Sequence, residues 1–296
     1  MNDFASSENE HGPEAERRRI IGIALEALEA AQQLHDRLGE TGQETLQKNQ
    51  FGETALRIDV ECEQLVIKTF RASGIPIRIV SEEHGVTELS DHPEYFAVLD
   101  GLDGTQTYRQ QRGSGRYGTM LGIFTNAHPK YQDYLFGGVA EHGLHRLIFA
   151  KQGEGAFMRQ GDKDTPIHTS GSKEVEPKTS FGVDEYFAFN RDLYLPVFEK
   201  QRRIIEFSSE SRYVDVATGQ ADLGLESTRK GNLEIAAAYG IIREAGGVMV
   251  DQHGQDIGEQ EYEKFGQAAQ VPIITAATPE LAKQVVELIR QHRRAI

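Results

Sequence analysis

Apolar residues recur at helical spacing between Glu14 and Leu38, where Ile20, Ile21, Ala24, Leu25, Leu28, Ala31 and Leu34 fall on one face of a long amphipathic helix. Met1–Pro13 ahead of it is polar and aperiodic, and reads as a disordered lead-in. A polar loop over Gly39–Gly52 leads to a second helix predicted over Thr54–Phe70, with Val60, Leu65, Val66, Ile67 and Phe70 on its apolar face. The pattern then changes. Ile75–Val80, Tyr95–Leu99 and Tyr117–Phe124 are short apolar runs bounded by turn residues, and Tyr134–Ala140 with Leu144–Ala150 reads as a strand pair turning at Glu141-His142-Gly143. Polar, proline-containing Gln160–Thr179 is the candidate junction between two lobes, 14–160 and 161–296. Beyond it come aromatic-rich Phe181–Phe189, a helix within Asp192–Phe207, the segments Arg212–Ala217 and Ala221–Leu225, an Ala-rich helix opened by Glu234, and an amphipathic helix over Glu280–Arg290. Helical and strand patterns alternate along the chain, which predicts an α/β (α+β) layered fold.

Two of the predicted strands end in acids. Ile75–Val80 runs into Ser81-Glu82-Glu83-His84-Gly85, and Tyr95–Leu99 runs into Asp100-Gly101-Leu102-Asp103-Gly104-Thr105. Open α/β layers place their chemistry at such strand exits. Gly104 and Thr105 form a short backbone nest whose N–H groups suit an anion. Carboxylates beside an anion nest repel a phosphate unless a cation lies between them, so the pattern asks for a hard metal such as Mg2+ held by oxygen ligands. Taken singly, Asp-Gly is a common solvated turn, and Glu82-Glu83 a common acidic loop. Acids near the start of the second helix, Asp59, Glu61 and Glu63, are explained equally by the helix dipole.

Composition narrows the partners. A formal net charge of -14 argues against a nucleic-acid backbone as ligand and makes a phosphate substrate awkward without metal ions. No apolar run is long enough for a membrane span, no secretory leader is read at Met1–Glu10, and the single cysteine, Cys62, suits a reducing cytoplasm as a buried inert thiol. His142 and His145 read as surface or partly packed residues, because no acid or thiol cluster surrounds them at metal-site spacing.

The runs V-S-E-E-H-G (Val80–Gly85) and V-L-D-G-L-D-G-T (Val98–Thr105), with L-E-I-A-A-A-Y-G-I-I-R-E-A-G-G-V-M-V-D (Leu233–Asp251), resemble in order and spacing the motifs of the inositol monophosphatase-like family of metal-dependent phosphomonoesterases. The resemblance covers nearly the whole chain and implies an α-β-α-β-α sandwich. It implies a metal set of Glu82, Asp100, the Leu102 carbonyl, Asp103 and Glu234 around two or three Mg2+ ions, with Glu82, Thr105 and Asp59 orienting a metal-activated water as nucleophile. It also implies phosphate and substrate contacts from Asp103, Gly104, Thr105, Ser208 and Glu226, the last to a substrate hydroxyl, and a lysine near Lys48 facing the metals. The family is often dimeric, which makes a homodimer one expectation.

Several positions depart from the family pattern. Leu233-Glu234 stands where Trp-Asp is usual, Gly101 replaces a proline, Ser81 a glycine, and Leu56 the threonine three residues before Asp59. Phe207-Ser208-Ser209 replaces a small-residue stretch at the alcohol pocket, so inositol specificity does not transfer. The expected function is Mg2+-dependent hydrolysis of a small sugar, polyol or amino-alcohol phosphate. A catalytically impaired phosphatase fold with a binding or regulatory role, and an assembly module that inherited the fold, are the competing classes.

Overall fold

The computed structural model describes residues 12–49, 52, 54–184, 188–198, 202–204, 208–229 and 231–295. The elements are, in order, α1 Pro13–Leu38, β1 Thr45–Lys48, β2 Thr54–Leu56, α2 Arg57–Ser73, β3 Ile77–Ser81, β4 Gly85–Glu88, β5 Tyr95–Asp103, α3 Thr105–Gln111, β6 Gly118–Phe124, β7 Tyr134–Glu141, β8 Arg146–Lys151, β9 Gly155–Gln160, β10 Lys163–Ile167, β11 Ser180–Val183, α4 Ala188–Phe198, β12 Arg202–Ile204, α5 Ser209–Ala217, β13 Leu223–Ser227, α6 Leu233–Glu244, β14 Val248–Asp251, β15 Pro272–Ala276 and α7 Pro279–Ala295. The expected lead-in over 1–11 lies outside the described residues. Pro13 instead opens α1, where its missing N–H costs nothing, and acids in the first turn favour the helix dipole.

Three sheets form. The large one has eight strands in the order β10-β9-β8-β7-β6-β5-β3-β4, a second has five in the order β12-β11-β13-β15-β14, and β1 and β2 make a small ribbon. Alternation along β5 explains the layering. Ala97 and Leu99 pack with Leu28 of α1 and Val66 and Phe70 of α2, whereas Phe96 and Val98 pack on the other face with Ala236, Ala237 and Ile241 of α6. Burial on both faces is why that strand reads as an uninterrupted apolar run. The second sheet repeats the arrangement. Met249 and Ile273 face α5 and α6, while Val248, Val250, Ile274 and Ala276 face Val197 of α4 and Leu281 and Val285 of α7. The result is α1/α2, sheet, α5/α6, sheet, α4/α7: the five-layer α-β-α-β-α sandwich.

Two expectations need correction here. The second helix starts at Arg57, not Thr54, because Thr54–Leu56 pairs with Thr45–Lys48 inside the stretch read as loop. Asp59 then fixes the helix start, its Oδ2 accepting the Leu56 N–H at 2.6 Å. The large sheet also runs on through Ile167, past residue 160, where the first lobe was expected to end.

Candidate metal centre and active site

The strands β3 and β5 are parallel neighbours, with Ser81 opposite Leu99, so the residues that follow, Glu82 and Asp100, stand at the same level of the sheet. Asp100 has the parity of Phe96 and Val98 and therefore faces α6. In a regular strand Asp103, three residues on, would point the opposite way. Between Asp100 and Asp103 the pairing with β6 slips, since three steps on β5 match the two from Met120 to Gly118. That bulge returns Asp103 to the face of Asp100. The first turn of α6 supplies Glu234, and one carboxylate oxygen from each of Asp100, Asp103 and Glu234 lies within 4.8 Å of the others.

The opposite side of the strand exit is built by α2. Thr105 Oγ1 lies 3.3 Å from Asp59 Oδ1 and 3.1 Å from the Leu102 carbonyl, which joins Asp59, Leu102 and Thr105 in one hydrogen-bonded set. Gly101 is explained by the same approach: a Cβ there would sit 2.2 Å from the Asp59 carbonyl oxygen and 2.9 Å from Glu63 Cγ. Only glycine lets α2 come this close. Gly104 adopts φ +86°, and a Cβ on it would meet Ser208 Cβ at 3.0 Å, so the nest turns directly against the start of α5.

Burial and mutual repulsion raise the proton affinity of these acids. Burial, reinforced by Glu234, pushes Glu82 up to about 9. Burial with Glu82, Asp103 and Glu234 as neighbours holds Asp100 well above the usual carboxylate range. Asp103 rises to about 6 through burial and Glu234, moderated by the Glu210 N–H that donates to its Oδ2 at 2.6 Å. Asp59 rises to about 7 through burial, moderated by the Leu56 N–H. Each of these acids would be stabilised as a carboxylate by a cation among them. The donor set fits a hard divalent ion, being all oxygen and drawn from separate elements.

A family model described as the inositol monophosphatase family matches residues 15–294. The chain belongs to the inositol monophosphatase family. A fructose-1,6-bisphosphatase/inositol-1-monophosphatase of Methanothermobacter thermautotrophicus is 27% identical over 241 residues, covering 78% of this chain and 82% of the relative. Among solved structures, the extragenic suppressor protein suhB of Bartonella henselae superposes with a TM-score of 0.75 at 15% identity, covering 92% of this chain and 98% of that one. An inositol monophosphatase of Anabaena (Nostoc) gives 0.70 at 18% identity, covering 93% and 96%. Membership sets this chain among phosphatases, a generally metal-dependent group.

Within this inositol monophosphatase-family chain, the expected site residues divide. Glu82, Asp100, Asp103 and Glu234 act on one another electrostatically, and Asp59, Leu102, Gly104, Thr105 and Ser208 surround them. Ser208 caps α5 and donates to the Arg116 carbonyl at 3.3 Å. Glu226 is buried with Arg212 Nη1 3.2 Å from its Oε2. Lys48 lies exposed at the end of the ribbon. Phe207 lies outside the described residues. His142 is not a surface residue: it is fully buried, stacked on His35 at 4.9 Å, with Nε2 2.9 Å from Thr119 Oγ1.

Two further residues, absent from the expected set, support the site. Asn49 donates to Glu82 Oε1 at 2.9 Å. Glu63, read as a dipole partner, is fully buried and accepts from the N–H groups of Glu83 and His84 at 3.0 Å, which fixes the turn that carries Glu82. A buried acid four residues after Asp59, on the same helix face, is the pattern that would have found it.

Proposed function

We propose that this chain is a Mg2+-dependent phosphomonoesterase that hydrolyses a small sugar, polyol or amino-alcohol phosphate. One observation carries the reading: Asp100, Asp103 and Glu234, delivered by a strand and a helix from different layers, bring three carboxylate oxygens within 4.8 Å of one another. With Glu82 and the Leu102 carbonyl they would hold the ions. Mg2+ bound there supplies charge neutralisation for the phosphoryl oxygens and a lowered pKa for water.

The chain's own residues do the rest. Thr105, bridging Asp59 and the Leu102 carbonyl, has lone pairs left to accept from an attacking water and so orient it. Asp59, held as a carboxylate beside bound cations, accepts from the Thr105 hydroxyl and fixes its orientation. The N–H groups of Gly104 and Thr105 face the phosphoryl oxygens, and Ser208 and Glu226 line the alcohol side. Sequence spacing offers no Ser-His-Asp or Cys-His set as a nucleophile, and Cys62 is buried with its thiol pushed up to about 12 by burial.

Inorganic phosphate release is the test, with inositol phosphate, fructose bisphosphate, histidinol phosphate and a nucleotide 3'-phosphate as the panel. At least one ester is expected to turn over with Mg2+ and to stop with EDTA. Release that persists in EDTA, or none from any ester, overturns the proposal.

A further inference from the structure

The acid that completes the cluster, Glu234, is a methylene longer than its aspartate neighbours, and the loop that leads to it has an unusual build. Asn232, immediately before α6, sits at φ +46° and ψ +34°, the left-handed region. Asparagine is one of the few side-chain-bearing residues that tolerates it. At that position its side chain would ordinarily cap the helix. It makes no cap, and instead donates through Nδ2 to the Phe265 carbonyl at 2.7 Å. Gly231, one residue earlier, is gripped twice by the same segment: its N–H donates to Gln267 Oε1 at 3.1 Å, and its carbonyl accepts from the Tyr262 hydroxyl at 2.5 Å. Thr228 and Val271 close the lower end with two further bonds at 2.8 Å, Thr228 N–H to the Val271 carbonyl and Val271 N–H to Thr228 Oγ1.

Tyr262 links this loop to the other half of the cluster. Its ring is buried 5.1 Å from that of Phe96, centroid to centroid, on the strand that carries Asp100 and Asp103 and on the same face as Asp100. A single two-torsion side chain therefore spans from the aspartate strand to the residue three before Glu234.

We propose that Tyr262 and Asn232 are positioning residues for Glu234. Segment 262–271 acts as a clamp that sets the first turn of α6 against β5, so that the longer acid meets Asp100 and Asp103. This rests on the metal-centre reading of the proposed function. Side chains that hold a ligand without touching the ion typically change metal affinity about 10- to 100-fold when altered.

The test is Mg2+ binding by isothermal titration calorimetry on EDTA-stripped wild type, Tyr262→Phe and Asn232→Gly, with the melting temperature of each metal-free protein. The first variant removes only a hydroxyl. The second keeps the left-handed backbone and loses the tether. Each is expected to weaken Mg2+ binding about tenfold, with the turnover lost at low Mg2+ regained at high Mg2+. Lower melting temperatures with unchanged Mg2+ affinity overturn the clamp and leave the metal centre standing. Should Tyr262→Phe fail to fold, Asn232→Gly decides alone. A wild type that binds no Mg2+ overturns the metal centre and the clamp together.

Discussion

Stripping the metal and raising the pH should destabilise this protein, the reverse of the usual carboxylate behaviour. A carboxyl whose pKa is higher in the folded than in the unfolded state binds more protons when folded, so stability is full below the unfolded value and falls as pH rises through the folded one. Asp59 gives the magnitude. Its rise from 3.8 to about 7, at about 1.4 kcal/mol per pH unit, is roughly 4 kcal/mol of stability lost between about pH 4 and pH 7. For a chain of this size about 1 kcal/mol moves the melting temperature by roughly 2 °C, so Asp59 alone contributes a fall of about 8 °C. Glu82, Asp100 and Asp103 act in the same direction, Glu82 up to about pH 9. Differential scanning calorimetry in EDTA from pH 4 to pH 8 reads the slope, with Asp59→Asn alongside. The wild type is expected to melt lower as pH rises, the variant less steeply. Mg2+ should restore more at pH 8 than at pH 5, since it competes with protons for the same oxygens. A melting temperature that is flat or rising with pH, or equal slopes in the two proteins, refutes the reasoning.

Two substitutions test the frame around the cluster. Gly101→Ala places a methyl 2.2 Å from the Asp59 carbonyl oxygen, so α2 must shift at a cost of about 1–3 kcal/mol; an unchanged melting temperature would show that α2 is not held there. Thr105→Ala removes the hydroxyl that joins Asp59 to Leu102, and should lower kcat about 100-fold, the low end for a positioned proton-transfer group, with KM within about twofold; a KM effect alone, read in steady-state kinetics, contradicts the orienting role.

The layers were legible because each rests on a periodic apolar pattern that burial decides: Ile20 to Leu34 on α1 and the doubly buried run of β5 both read directly from the chain. Asp100, Asp103 and Glu82 were legible as acids at strand exits. Their shared face was not, since spacing of three puts Asp100 and Asp103 on opposite faces of a regular strand, and only the slip against β6 reverses that. The ribbon of Thr45–Lys48 and Thr54–Leu56 was missed because its strands are only four and three residues long, too short to show an alternation. Gly101 read only as a departure from the family pattern, and its reason, the Asp59 carbonyl on a neighbouring helix, is a contact between segments 42 residues apart in sequence. His142 and Asn49 were illegible for the same reason: a lone polar residue does not reveal which buried partner it meets.

Phosphate release titrated with Mg2+, for wild type, Glu234→Gln and Glu234→Asp on the best ester of the panel, tests the three-carboxylate centre most directly. Loss of turnover by about two orders of magnitude in Glu234→Gln, at the upper end for a metal-site change, is expected. A higher half-activating Mg2+ should accompany it, while Glu234→Asp retains much of the wild-type rate. Equal rates for wild type and Glu234→Gln at limiting Mg2+ would remove Glu234 from the centre and contradict the account.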